Sequence, residues 1–400
     1  MGGHARTPYT ADDFGRNPLM FYYEVTRACD LVCKHCRASA QETAAPDELS
    51  PADALRLIDD VARFPRKPTI CFTGGDPLKR ADLFDIIRHA TELGIGSALT
   101  PSATPLATFD AFKKAKEAGV SAIGLSIDGP NAEVHDAFRG LSGSFDKALE
   151  MLKYAQDLEL PVQVNTSITR RNVELVDAIA DLLEDKGVMM WSVFFLVPVG
   201  RGVEEIRISP PEYREVFAKL YRHSQTKPFS VKTTEAPHYR RYVMEQGGDP
   251  LAAPKNRPAF PKSAFAAAMK TAPQVEANET SASPTPTDAP ASSASPARPS
   301  RHARAPLGVT DGRGIMFVGH NGEIYPAGFL PITCGVFPRD SVVDVYQNHP
   351  LFKSLQNPDE YKGICGKCSF RKSCGGSRSR AYAVYGDPLA QEPDCDFEKL

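Results

Sequence analysis

At 400 residues, with 42% hydrophobic and 24% charged residues, the chain has an ordinary globular composition and enough length for one large domain and an appendage. A formal net charge of −2 supplies no basic excess for a polyanion, so no nucleic-acid partner is expected. No apolar run reaches the roughly 18 residues of a membrane span, and MGGHARTPYTADDFGRNPL has no apolar signal region, so no membrane partner and a cytoplasmic location are expected.

Residues 1–19 form an N-terminal segment. From 20 to 207 short apolar runs alternate with amphipathic stretches. FYYEV (21–25) reads as a strand and leads into a cysteine-bearing loop. Ser50-Pro51 reads as an N-cap and first-turn proline opening a helix. PTICF (68–72) reads as the next strand, ending at Thr73-Gly74-Gly75, and the following helix closes on Gly94. The cycle repeats through GSALT, SAIGLSID, PVQVNTSI and MWSVFFLV, each followed or preceded by a helical stretch. About six strand–helix units predict a parallel sheet covered by helices, too few for a closed eight-stranded barrel. The fold class expected is α/β: a partial, open (β/α)6 barrel of the TIM type with a small cysteine-rich α+β extension.

Residues 208–251 read as a helical connection. Residues 252–306, rich in Ala, Ser, Pro and Thr without an apolar period, read as a disordered insertion. Asn321-Gly322 between β-rich runs signals a hairpin opening a C-terminal region over 307–400.

Seven of the nine cysteines fall into two groups. Cys29, Cys33 and Cys36 follow a C-x3-C-x2-C spacing just after the first strand. Three thiolates so close can hold one iron–sulfur cubane and leave its fourth iron free for a chelating substrate. Zinc more often takes four ligands in pairs, so a zinc knuckle borrowing a distant ligand is the competing reading, beside cysteines that are merely buried. Cys365, Cys368, Cys374 and Cys395 give C-x2-C-x5-C-x20-C. Four ligands saturate one cluster, and they fit a structural zinc equally well. Cys71 and Cys334 stand alone and are assigned no role.

With these cysteines in place, residues 20 to about 200 resemble the radical S-adenosylmethionine (SAM) superfamily. The resemblance implies a SAM-binding [4Fe–4S] cluster on Cys29, Cys33 and Cys36. It implies SAM contacts from Gly74, Gly75, Asp76 and Pro77, which look like the family's GGEP segment with Asp76 in place of Glu. Further contacts are implied for Ser126 and Asp128 in LSIDG, Asn165 and Thr166 on the fifth strand, and Val199 and Gly200 in PVGRG. His35 stands where the family tends to place a ring against adenine. The chemistry implied is reductive cleavage of SAM to methionine and a 5′-deoxyadenosyl radical, which takes a hydrogen from the substrate.

The second cysteine group resembles the SPASM or twitch extension. Arg378 stands where the longer form has a further cysteine, and the hairpin reads Tyr325-Pro326-Ala327-Gly328 without one, so a single auxiliary [4Fe–4S] cluster is expected. The run CGGSRSRAYAVYGDPLAQEPDC, with YPAGFLP, is similar to the haem and haem d1 biosynthesis subgroup. That implies a small-molecule substrate, an iron tetrapyrrole, whose carboxylate side chains Arg371, Lys372, Arg378 and Arg380 are candidates to meet, the competing reading being a solvated basic loop. His320 and His135 are candidate haem-iron ligands, although lone histidines seldom are. The electron donor implied is a flavodoxin or ferredoxin. Two alternatives stay open: a radical maturase of a ribosomally made peptide, and a non-catalytic iron–sulfur electron carrier.

Overall fold

The computed structural model describes residues 9–253 and 307–397. The expected disordered insertion therefore lies, but for its first two residues, outside the described residues. Ten strands form one sheet: β1 (Met20–Glu24), β2 (Thr69–Thr73), β3 (Gly96–Leu99), β4 (Val120–Ser126), β5 (Val162–Ile168), β6 (Met190–Phe195), β7 (Ser230–Thr234), β8 (Ile315–Val318), β9 (Glu323–Tyr325) and β10 (Gly335–Val336). Their order is β10-β9-β8-β1-β2-β3-β4-β5-β6-β7. Strands β1 to β7 pair in parallel in sequence order, and β8 joins the outer side of β1, also in parallel. The sheet is open, as expected of a partial barrel.

Helices α1 (Pro51–Ala62), α2 (Leu83–Glu92), α3 (Phe109–Ala118), α4 (Ala132–Arg139), α5 (Ser144–Asp157), α6 (Val176–Glu184), α7 (Pro210–Thr226) and α8 (His238–Glu245) follow or bridge the strands. In the extension come α9 (Val342–Asn348), α10 (Pro350–Gln356), α11 (Gly363–Lys367) and α12 (Arg378–Tyr385). Ser50 accepts from Asp53 N at 3.1 Å with Pro51 in the first turn, so α1 starts where its capping residues demand. No helix among the described residues is long and apolar enough to cross a membrane.

Paired residues in a parallel sheet share a face, and neighbours along a strand alternate. One face carries Phe21, Tyr23, Ile70, Phe72, Val164, Trp191 and Val231, all buried in the main core under the helices. The other, concave face carries Tyr22, Cys71, Ala98, Asn165, Ser192, Lys232 and Phe317, as their pairing register requires.

Two expectations need correction. The stretch read as wholly helical contains β7. Its SVKTT sequence alternates Val231 toward the core with Lys232 toward the concave face, so it lacks the apolar run that marks a buried strand. Helix α4 was also missed. The Asn321-Gly322 hairpin is present as β8–β9, with Gly322 at φ +84, and it extends the main sheet instead of standing apart. Asp60 of α1 ties the extension down further, accepting from Val342 N at 2.7 Å and Ser341 Oγ at 3.1 Å.

Candidate functional site

The C-terminal ends of β1 to β4 and β6 converge on the first cysteine loop, the end of a parallel barrel where sites form. Backbone N–H groups point at the sulfurs: Leu31 N at Cys29 Sγ (3.4 Å) and Ala40 N at Cys36 Sγ (3.4 Å). Arg139 Nη1 lies 3.8 Å from Cys33 Sγ. Donors aimed at sulfur favour thiolate over thiol. Burial alone does the reverse: it pushes the Cys29 thiol up to about 11 and raises Cys33. A cationic group must therefore displace these protons, as a metal does. Among the described residues no three His, Cys, Asp or Glu side chains are gathered around a single ion-sized point. The fit of the cysteines to a metal group rests on their sulfur acceptors.

The loop is held from two sides. Gly74 and Gly75 lie so close that a Cβ would sit 2.6 Å from Thr26 O and 2.4 Å from Ala28 O. The glycines thus admit the backbone leading into Cys29. After β6, Gly200 (φ +55) packs against Cys36 O and Arg37 O. Arg201 donates from its backbone to Cys36 O (3.0 Å), from Nε to Cys33 O (2.9 Å) and from Nη1 to Ala40 O (2.8 Å).

Beside the loop lies a cavity of about 160 Å³ lined by Leu31, Thr73, Gly74, Gly75, Ser102, Ser126, His135 and Arg139, among others. His135 Nδ1 accepts from Asp128 N (3.1 Å), which puts its proton on Nε2. That Nε2 is buried without a partner and aims a donor into the site. Burial and the nearby Arg139 pull His135 down to about 4, keeping it neutral.

Several predicted residues stand elsewhere. Asp76 is fully buried and shapes its own loop, accepting from Thr104 Oγ1 (2.6 Å), Leu78 N and Ser102 N, with Pro77 in the first turn of a short 3-10 segment. Asp128 is spent on Arg139 Nε (2.6 Å) and Ser167 N (2.7 Å). Burial would raise its carboxyl, but Arg139 holds it below the usual range. Thr166 faces the helices, donating to Ile127 O and accepting from Trp191 Nε1. Asn165 faces the concave side and accepts from Gln163 Nε2 (2.7 Å). The His35 ring lies flat on Phe138, 4.4 Å between centroids. Gly200 clamps the loop, and Val199 caps the short 3-10 segment that begins with it. His320 Nδ1 faces Glu24 Oε1 (3.0 Å), and Arg37 pairs with the same carboxylate.

In the extension, Cys365, Cys368, Cys374 and Cys395 all line one small cavity with His238, Arg241 and Glu392. Their sulfurs accept from Glu392 N (3.2 Å at Cys365), Phe370 N (3.4 Å at Cys368), Gly376 N and Phe397 N. Three of these donors lie two residues after the cysteine, the same knuckle that Leu31 makes at Cys29. Arg378 and Arg380 are wholly buried here. Arg380 pairs with Glu392 (2.8 Å), and Arg378 donates to Ala390 O (2.6 Å) and Cys365 Sγ (3.6 Å). They are spent on the extension and free for no substrate. Arg371 binds Asp359 at the surface. Cys334 is buried apart, donating to Ile332 O.

Fold and site together define a radical SAM enzyme. Residues 23–184 match the model of the radical SAM superfamily, and with the full-length similarity to the relatives that follow, the chain belongs to that superfamily. Across its full length it is 34% identical to an AdoMet-dependent heme synthase of Oleidesulfovibrio alaskensis, covering 100% of this chain and 93% of that protein. A second AdoMet-dependent heme synthase, from Methanosarcina barkeri, is 32% identical over 95% of this chain and 97% of its own. Within the superfamily, the chain is therefore a radical SAM enzyme of the heme synthase type, using SAM and iron–sulfur clusters. Among solved structures, Streptococcus suis SuiB bound to S-adenosylmethionine shares the fold at TM-score 0.64 and 15% identity, over 96% of this chain and 78% of that one.

Proposed function

We propose that this enzyme converts propionate side chains of an iron tetrapyrrole to vinyl groups by radical oxidative decarboxylation. Cys29, Cys33 and Cys36 would hold the SAM-binding cluster, and Gly74, Gly75, Ser126, His135 and Arg139 would line the SAM site. When bound, reduced cluster and SAM supply the 5′-deoxyadenosyl radical. The protein orients the reactants and keeps stray hydrogen donors away.

One observation carries the reading: four cysteines, two buried and two half-buried, each sulfur with an N–H donor, gather around a second cavity in the extension. Loss of a hydrogen atom and of carbon dioxide from a propionate leaves a vinyl group and one electron. That electron needs an acceptor, and the four cysteines suit an auxiliary cluster able to take it. Similarity to heme synthases along the whole chain supports the same substrate class. A flavodoxin or ferredoxin would supply electrons to the first cluster, in the cytoplasm.

The test is anaerobic reconstitution with dithionite, SAM and iron-coproporphyrin III. Deoxyadenosine should appear together with carbon dioxide and vinyl-bearing porphyrin. Deoxyadenosine with every propionate intact would overturn the substrate assignment.

A further inference from the structure

Lys232 sits in the middle of β7, and its register partner Ser192 faces the concave side of the sheet. Ser192 Oγ lies 3.1 Å from Thr234 Oγ1, so this row of β6 and β7 side chains points inward together. Lys232 is half-buried, and none of the described side chains offers it a carboxylate within ion-pair distance. The charged or polarisable groups it does feel are the Cys71 sulfur on β2 and the Arg240 guanidinium. Burial, countered only in part by Cys71, pulls the ammonium down to about 8. An ammonium partly withdrawn from water with no anion opposite costs stability, and a lysine in such a setting is open to an anionic ligand.

Its position relative to the chemistry is defined by two contacts. Cys71 Sγ lies 3.4 Å from Thr100 Oγ1, and Thr100 lines the cavity beside the first cysteine loop. Lys232, which feels the Cys71 sulfur, is therefore linked to that cavity through Cys71 and Thr100. The same concave face carries aromatic rings: Tyr22 and Phe317 on β1 and β8, and Phe194 on β6, against which Phe329 of the extension packs. A flat apolar molecule bearing carboxylates would match these rings and answer the unpaired charge.

We infer that Lys232 is the anchor for a carboxylate of the substrate, binding it on the concave face next to the SAM cavity. This rests on the proposed tetrapyrrole substrate and specifies which residue of the chain recognises its acidic side chains. An ammonium is a compact point charge with three donors, suited to one oxygen pair among several side-chain carboxylates. Arg378 and Arg380, the basic residues most prominent in the sequence, are buried in their own network and leave this role open.

The experiment titrates the reconstituted protein with iron-coproporphyrin III and with its uncharged tetramethyl ester, followed by visible absorbance. Wild type should bind the free acid at least about tenfold more tightly than the ester, as expected for a desolvated charge pair. Lys232→Met should lose that discrimination, Lys232→Arg should keep most of it, and substrate-free Lys232→Met should melt no lower than wild type because an unpaired, partly desolvated charge is gone. If wild type prefers the acid and Lys232→Met prefers it equally, the anchor is refuted while the tetrapyrrole substrate stands. If wild type binds neither compound, the substrate assignment falls and the anchor with it.

Discussion

Glu235 leaves β7 in the left-handed region (φ +59), with its carboxyl buried between Ser377 and Asp311. Asp311 Oδ2 accepts from Ser379 N (2.8 Å) and Ser379 Oγ (2.9 Å), which supports its charge. The proton of the pair thus belongs on Glu235, and burial, with Asp311 beside it, raises Glu235 well above an ordinary glutamate. A group whose folded pKa exceeds its unfolded value gives stability that is full below the unfolded pKa. That stability is lost as pH climbs through the folded one. Wild-type melting temperature should therefore decline as pH rises from the unfolded glutamate value of about 4.3 toward the raised folded one, at up to about 1.4 kcal/mol per pH unit from this group. Glu235→Gln keeps an acceptor for Ser377 Oγ and removes the titration. Its melting temperature should stay flatter across that range, and an unchanged slope in calorimetry would refute the shared proton. Nothing near EAPHY marks this pair in the sequence, because Asp311 comes from a segment beyond the insertion. The cysteines were legible for the opposite reason: three ligands of one site lie within eight consecutive residues. His135 and Arg139, both on α4, and Arg201, in the turn after β6, complete that site from distant parts of the chain. On paper each is one more polar residue near a strand exit.

At the scale of elements, the parallel alternation of β1 to β6 was readable because each strand is an apolar run flanked by turn residues. Strand β7 and helix α4 were not, since one is half polar by register and the other is a short helix inside a loop. The Thr73-Gly74-Gly75 turn shows how an element boundary serves the site. Its glycines face the backbone of residues 26–28, and that contact fixes the distance between β2 and the chain entering Cys29. Asp76 N donates to Ala28 O (2.6 Å) and Gly75 N to Thr26 O (2.8 Å), so the two strand exits are stitched directly. Gly75→Ala places a methyl 2.4 Å from Ala28 O and 2.7 Å from Arg27 O, and because these are backbone atoms only movement of the chain gives relief. Overpacking of this kind costs about 1–3 kcal/mol. The variant should fold with a lowered melting temperature, bind less iron at the first cysteine loop and cleave SAM slowly. Iron per chain and deoxyadenosine yield check this, and wild-type values of both would show that the turn does not position the loop.

For the whole molecule, the question is whether the extension is a separate electron site or a structural clip. Because β8 pairs with β1, and Asp60 of α1 caps α9, the extension and the barrel share one sheet and one core. Losing the extension's fold would therefore expose β1 as an edge and disturb the strand that delivers Cys29. Yet much of the extension is held without metal: Arg380 is wholly buried against Glu392 and donates to Glu235 O (2.5 Å), and Arg378 is covered by Tyr361. Removing one cysteine should empty the second site while this network keeps the fold. Distant sites with no shared partners respond independently. Cys374→Ala is thus expected to stay soluble, to lose roughly half the cluster iron, as expected if each site holds one four-iron cluster, and to form deoxyadenosine with SAM. It should fail to make vinyl groups, since the electron released with carbon dioxide then has no acceptor. Iron analysis, electron paramagnetic resonance of the reduced protein and product chromatography separate the cases. If SAM cleavage and thermal stability collapse together with the iron, the metal in the extension serves the fold. If vinyl product persists at the wild-type rate, the electron leaves by another route.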